Sequence, residues 1–321
     1  MKKLLLLVFT ISIFTLSCNK NDSALASSNT ETIPPIINSG SVEIRSDINP
    51  LDAVILNNGI LEFTDMNHFY NSVSYLEEKI DEHEDLFVST YPDFTDEELN
   101  DKEEEINFNP FQPAIDFETS KSFSSRRSYI ESATLNWLNN EILDFNNDPD
   151  DWDNLDDIER SFFNLNGEVK IGNTVYNLNN FYDTNISSAA ETCRGWWISW
   201  DEYSYDSNKK KMKIRVKFAS NAFRMKLSTR VTSYKKGFLF WKRHRTKIYA
   251  SVGGLVYPKS FCEGSNGNQV GKTRGPKKRK RLNCKKYDWF PPEVQQVKKG
   301  SISGYGWVGN SNNALSVPLT W

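Results

Sequence analysis

The side chains able to do acid–base or metal chemistry are few and scattered. Three histidines occur, His68 in an amphipathic stretch, His83 in "DEHED" and His244 in "WKRHR". None has a partner at catalytic spacing, so each reads as a solvated surface histidine. No nucleophile elbow, HExxH pair or Cys/His pairing is present. The stretch "DFNNDPDDWDNLDDIE" (144–159) gathers seven Asp, with oxygen side chains at 144, 146, 148 and 150. Calcium takes such hard ligands. Pro149, however, stands where an EF-hand loop needs Gly, and Leu155 where it needs Glu, so a solvated acidic loop with helix-capping Asp is expected. Paired carboxylates could serve a glycan hydrolase, but no spacing singles out a pair. "GNQVGKT" (267–273) misses the phosphate-binding loop by one residue, because Asn266 occupies the place of the first Gly. It reads as a Gly/Asn loop. No cofactor, no metal and no catalysis are expected.

Binding chemistry is better represented. "GKTRGPKKRKRLNCKK" (271–286) places nine cations in sixteen positions: Lys272, Arg274, Lys277, Lys278, Arg279, Lys280, Arg281, Lys285 and Lys286. These are the candidate polyanion contacts, read as a loop on a basic sheet. "CRGWWISWDEYSYD" (193–206) brings Trp196, Trp197 and Trp200 together. Exposed indoles stack on sugars or bases, although alternate aromatics more often fill a sheet core. In a strand, Trp196 and Trp200 share one face and Trp197 takes the other.

These residues sit in a chain of two opposite charges. The net charge is −3, yet residues 1–206 hold 39 acidic against 12 basic side chains, and residues 207–321 hold 3 against 27. The fold class expected is α+β. An acidic, helix-rich domain with short hairpins spans 51–190, and a basic antiparallel domain, sandwich- or barrel-like, spans 191–321. In the acidic half, "VILNNGILEF" (54–63) reads as a hairpin around Asn-Asn-Gly. Thr64 is the expected cap of a helix with Phe69, Val73, Leu76 and Ile80 on one face. Thr95 and Glu98 predict one capping box, Ser128 and Glu131 another. "GEVKIGNTVYNL" (167–178) predicts a second hairpin. In the basic half, "KMKIRVKFA" (211–219) alternates strictly, apolar on one face and cationic on the other, and the cationic face is expected to meet solvent.

The amino terminus reads as an export signal over 1–17: two Lys, then thirteen uncharged residues from Leu4 to Leu16, too short for a span of about 20 residues. The break at "SCNKND" resembles a bacterial lipoprotein signal of the Bacteroidetes type, although Thr15 and Leu16 depart from the commonest pattern. That resemblance implies lipidation of Cys18, a membrane anchor, and a place in the cell envelope, periplasmic or surface-exposed. Cleavage after "ALA" (24–26) is the alternative. Residues 18–50 then form a polar tether. "LNNGILEF", the helices and "SFFNLNGEVKIGNTVYNL" further resemble uncharacterised Bacteroidetes lipoproteins over about 54–178, a family that implies no activity. In an exported chain Cys262 and Cys284 are the favoured disulfide, worth roughly 3 kcal/mol for the loop they would close. Cys193 is left odd, and the connectivity stays open.

Three functions are compatible with these observations: a non-catalytic envelope protein whose basic domain contacts lipopolysaccharide, an acidic glycan or extracellular DNA; an assembly protein whose acidic and basic halves dock on each other; and, least favoured, a glycan-active hydrolase.

Overall fold

The hairpin expected at Asn-Asn-Gly forms as strands β1 (Ile55–Asn57) and β2 (Ile60–Phe63). Asn58 and Gly59 both take positive φ, +50° and +76°, as a tight two-residue turn requires. This is a computed structural model, and it describes residues 49–182, 195–220, 224–258, 268–289 and 297–320. The export signal, Cys18, nearly all of the tether, Cys193 and Cys262 therefore lie outside the described residues.

Helix α1 (Met66–Thr90) follows with Phe69, Tyr70, Val73, Leu76 and Ile80 buried. Its cap is Asp65 and not the expected Thr64. The Asp65 carboxylate accepts from His68 N, while the Thr64 amide donates to the His68 ring. Helix α2 (Asp96–Glu105) opens on the expected capping box of Thr95 and Glu98. After α3 (Gln112–Ser120) comes α4 (Arg126–Leu138), capped by Ser125. The expected cap, Ser128, lies inside the first turn, where its hydroxyl donates to the Ser125 carbonyl. Two 3₁₀ turns, Phe145–Asn147 and Pro149–Asp151, lead into the short α5 (Asp157–Arg160). Strands β3 (Glu168–Ile171) and β4 (Thr174–Asn177) form the second expected hairpin. Because β2 pairs β3 in parallel, the two hairpins join into one mixed sheet, β1-β2-β3-β4. Its core is aromatic, with Phe63, Phe69 and Phe162 in edge-on contact.

The basic half contributes nine described strands: β5 (Gly195–Tyr205), β6 (Lys210–Ser220), β7 (Arg224–Lys236), β8 (Trp241–Arg243), β9 (Thr246–Pro258), β10 (Asn268–Arg279), β11 (Arg281–Trp289), β12 (Val297–Val308) and β13 (Ala314–Thr320). They form two antiparallel sheets, β11-β7-β6-β5 with β8 on β7, and β10-β9-β12-β13. Met212, Ile214, Val216 and Phe218 of β6 pack with Leu227 and Val231 of β7 against Ile248, Ala250 and Ile302 of the opposite sheet. The fold class is thus α+β with a sandwich, and no barrel closes among the described residues. Gly304 lets β12 approach β6 and β7: a Cβ there would stand 2.3 Å from Val216 Cγ2 and 2.5 Å from Thr229 Oγ1.

Two expectations change here. The run 271–286 is not a loop. It is most of β10 and the start of β11, which cross between the two sheets at Lys280; likewise Asn268–Thr273 are strand, not a Gly/Asn loop. Second, Cys284 is a buried free thiol that donates to the Lys272 carbonyl at 3.3 Å, so the expected pairing with Cys262 is not made. Its side chain points into the sandwich core, where it packs as a small apolar group.

The described residues from Asn49 onward belong to one compact unit, Asp47–Trp321. An apolar cluster spans the charge division: Trp137, Leu138, Leu143 and Phe145 of the acidic half meet Tyr234 and Trp241 of the basic half.

Candidate functional site

Strict alternation on β6 turns Lys213, Arg215 and Lys217 to the face opposite the sandwich core. Lys226 and Arg230 on β7 and Arg281 and Lys285 on β11 join them. That face was expected to meet solvent. Instead the seven-Asp stretch lies across it, and Lys213, Arg215, Lys217, Lys226 and Arg230 are all buried. Nor is the stretch a solvated loop, since Asp148, Asp150, Asp153, Asp156 and Asp157 are buried as well.

The stretch is shaped by its own capping. Asp144 accepts from the Asn146 amide and Asp148 from the Asp150 amide. Asp156 caps α5 in a capping box with Glu159. Asp148 and Asp156 each keep a carboxylate oxygen for the sheet below, whereas both oxygens of Asp144 go to Asn146 and Asn147. Lys213 Nζ reaches Asp148 at 2.7 Å and Asp151 at 2.6 Å, and Arg215 reaches Asp151 at 2.8 Å. Lys226 binds Glu159 at 2.6 Å and Asp156 at 3.1 Å, with cation and glutamate 1% and 0% exposed. Arg230 pairs with Asp157 at 2.8 Å. Arg281 stands 3.2 Å from both Asp150 and Asp157. Arg160, within the stretch, binds Asp153 at 2.9 Å and Asp150 and Asp157 at 3.3 Å.

Helices α1 and α2 continue the seam along β10 and β11. Arg274 pairs with Asp81, Lys277 with Asp85 at 2.8 Å, and Arg279 with Glu84 at 3.0 Å and Asp85 at 2.5 Å. Lys280 reaches Glu103 at 2.9 Å, and Lys285 reaches Glu77 at 3.0 Å and Asp156 at 3.3 Å. Lys278 donates to the Phe94 carbonyl at 2.8 Å. Seven of the nine candidate polyanion contacts thus bind their own acidic half. Lys272 is exposed on β10 and Lys286 half-buried on β11.

Burial alone would drive these carboxyls to their neutral forms, so the cations decide their state. Burial pushes Asp157 up, but Arg230 and Arg281 outweigh it and hold its pKa at about 2. Asp150 and Asp156 lie well below the usual carboxylate range, because Arg281 and Arg230 around the first and Lys226 and Lys285 around the second overcome the same penalty. Glu84 moves the other way: burial prevails over Arg279 and Arg245. Burial, then the neighbouring Lys226 and Arg215, push Lys217 well below the usual lysine range, and its Nζ donates to the Asn154 carbonyl.

Where the seam is not filled, a cleft of about 240 Å³ remains. One wall carries Glu77, Asp81 and Glu84 of α1, Glu104 of α2 and Glu131 of α4. The other carries Lys242, Arg243, Arg274, Arg279, Lys280 and Arg281. Ile80, Phe111, Leu135, Leu138, Ile158 and Leu282 make it apolar between them. Arg243 and Arg281 of its lining converge with Arg160 and Arg230 on the single carboxylate of Asp150. Arg243 Nε is buried without a hydrogen-bond acceptor among the described residues.

The tryptophans divide as strand alternation requires, but none forms a free platform. Trp197 stands 5.6 Å from the Phe218 ring and packs on the sandwich core. Trp200 packs on the apolar seam, with Lys213 over its ring at 4.9 Å. Trp196 is 39% exposed and has Lys217 over it at 5.9 Å.

The histidines serve structure. His68 Nε2 lies 2.9 Å from the Pro50 carbonyl, and His83 stacks on Phe108 with centroids 4.7 Å apart. His244 is buried instead of solvated. Burial, then Lys235 and Lys210, lower its pKa to about 4, so its 4.0 Å approach to Glu97 is not an ion pair at neutral pH.

Arg160, Arg230, Arg243 and Arg245 escaped sequence reasoning as site residues. The signal that could have found them was the charge division: a dense Asp run and an alternating cationic strand have complementary spacing. No family model matches the chain. No curated protein matches it. Among solved structures, a DUF4848 family protein of Bacteroides thetaiotaomicron aligns at 13% identity over 84% of this chain and 100% of its own, with a TM-score of 0.22. A score that low carries no fold, residue role or activity across.

Proposed function

We propose that this is a non-catalytic envelope lipoprotein, anchored through Cys18, in which the two charged halves are docked on each other and the cleft between them binds a small anion with an apolar body. The observation that carries the binding reading is the arginine-bearing wall of the cleft, at Arg243 and Arg281. These two guanidiniums share Asp150 with Arg160 and Arg230, and Arg243 Nε has no acceptor among the described residues beside an apolar lining. An anionic group supplies that acceptor, and the lining takes the apolar body. Extended polyanion contact is disfavoured because seven of the nine cations proposed for it already bind the acidic half. A phosphate backbone would have to displace carboxylates held on the same chain at high effective concentration. Catalysis is disfavoured because the histidines are engaged in packing and backbone contacts.

Calorimetric titration with octanoate and with octyl phosphate tests the cleft. Saturable binding is expected, weakened about tenfold or more by Leu135→Glu, which places a like charge in the apolar lining. Leu135 is 56% exposed, so the substitution leaves the fold intact. No saturable binding, or binding indifferent to Leu135→Glu, overturns the reading. Retention of the full chain on heparin at physiological salt restores the polyanion reading in its place.

A further inference from the structure

Among the described residues, two hairpin turns that meet solvent are polar. Asp206–Lys209 joins β5 to β6, and Gly309–Asn313 joins β12 to β13. The β7–β8 turn breaks that pattern, with Phe238, Leu239 and Phe240 exposed by 97%, 66% and 48%. Turn chemistry gives no reason for three large apolar side chains in a row. The tip is also held in place: Gly237 N donates to Phe240 O at 2.8 Å, and Lys236 pairs with Trp241. Trp241 packs beside Trp137 and Leu138, and its indole donates to the Glu141 carbonyl at 3.1 Å.

Behind the tip the chain is cationic. Lys235 and Lys236 precede it and Lys242 follows, while Lys209 ends the adjoining β5–β6 turn and Lys210 opens β6; Lys236 N donates to Lys209 O. The carboxylates facing this group are Glu97, Glu104 and Asp206. Glu97 pairs with Lys235 and Lys210, Glu104 with Lys242, and Asp206 with Lys210. Lys209 and Lys236 are exposed and have no carboxylate within ion-pair distance among the described residues.

We propose that Phe238–Phe240 inserts into the interface of an anionic lipid surface, with Lys209 and Lys236 on the headgroups. An apolar tip backed by lysines is the arrangement such an interface selects: rings enter the acyl boundary and ammoniums stay with phosphate. The patch exposes on the order of 400 Å², about half of what each partner contributes to a stable protein interface. It is therefore too small for a second copy of the chain and sufficient for a membrane tip. This inference does not depend on the cleft. Combined with an acyl chain at Cys18 it supplies the second contact that a single chain needs for stable attachment.

The test is co-sedimentation with lipid vesicles, using the chain from position 18 onward with Cys18→Ser, so that no acyl group contributes. Vesicles containing phosphatidylglycerol are expected to bind it, and the triple change Phe238→Ser, Leu239→Ser, Phe240→Ser to weaken binding by about tenfold or more. Lys209→Glu with Lys236→Glu is expected to abolish the preference for phosphatidylglycerol over pure phosphatidylcholine. All five positions are exposed, and circular dichroism verifies that the variants fold. No binding by the starting chain, equal binding by the triple variant, or a dimer in light scattering that the triple change dissolves would each overturn the proposal.

Discussion

Asp157 and His244 are buried titrating groups that resist protonation. The folded pKa of Asp157 is about 2, against an ordinary value of 3.8, because Arg230 and Arg281 hold the charged form. Its contribution is complete above the ordinary value and is lost as pH falls through the folded one; Asp150 and Asp156 act in the same direction. His244 has a folded value of about 4 against 6.5 and stays uncharged in the fold. Between those values the unfolded chain binds more protons, so stability rises with pH there too. Glu84 and Asp148, with raised values, oppose the trend because the fold favours their neutral forms. The Asp157 shift alone corresponds to about 2 kcal/mol at neutral pH. The urea midpoint is expected to be level near neutrality, to decline from pH 6.5 to 4 and to fall more steeply toward pH 2. A midpoint unchanged from pH 7 to 3 would show that these charges are not buried in the fold.

The elements were legible wherever side-chain period decided them. The Asn-Asn-Gly hairpin, the Thr95 capping box and the two faces of β6 follow from local rules that tertiary contacts did not override. Caps at Thr64 and Ser128 were misplaced because an Asp and a Ser nearby compete for the same first turn. The run 271–286 read as a loop because its charge suggested solvent, whereas a cation opposite a carboxylate tolerates a strand. No local rule could supply those carboxylates, which lie some 130 to 200 positions earlier. At the scale of elements the sandwich depends on a close approach that only glycine permits at Gly304. Gly304→Val would drive methyls into Val216 and Thr229 and is expected to cost about 2 to 3 kcal/mol, read as a lower urea midpoint with the slope preserved. A loss under about 0.5 kcal/mol would mean that the two sheets stand further apart there.

For the whole molecule, the division of charge between the halves is the organising feature, and the candidate site illustrates how far a sequence carries. The cationic run and its composition were plain, but its partner was not, because pairing across the chain is a property of the fold. The buried pairs do more to fix how the halves meet than to add stability, since two desolvated charges barely recover what leaving water costs them. Removing one partner is another matter, because it leaves a charge buried and unopposed.

The double-mutant cycle at Asp157 and Arg230 tests that docking most directly. The pair stands 2.8 Å apart with both side chains 5% exposed. Asp157→Asn and Arg230→Gln alone are each expected to cost about 3 kcal/mol or more. The double variant is expected to lose less than the sum, with a coupling of about 1.5 to 3 kcal/mol. Coupling within about 0.5 kcal/mol of zero would contradict the account, because the two halves would then not be joined through these charges.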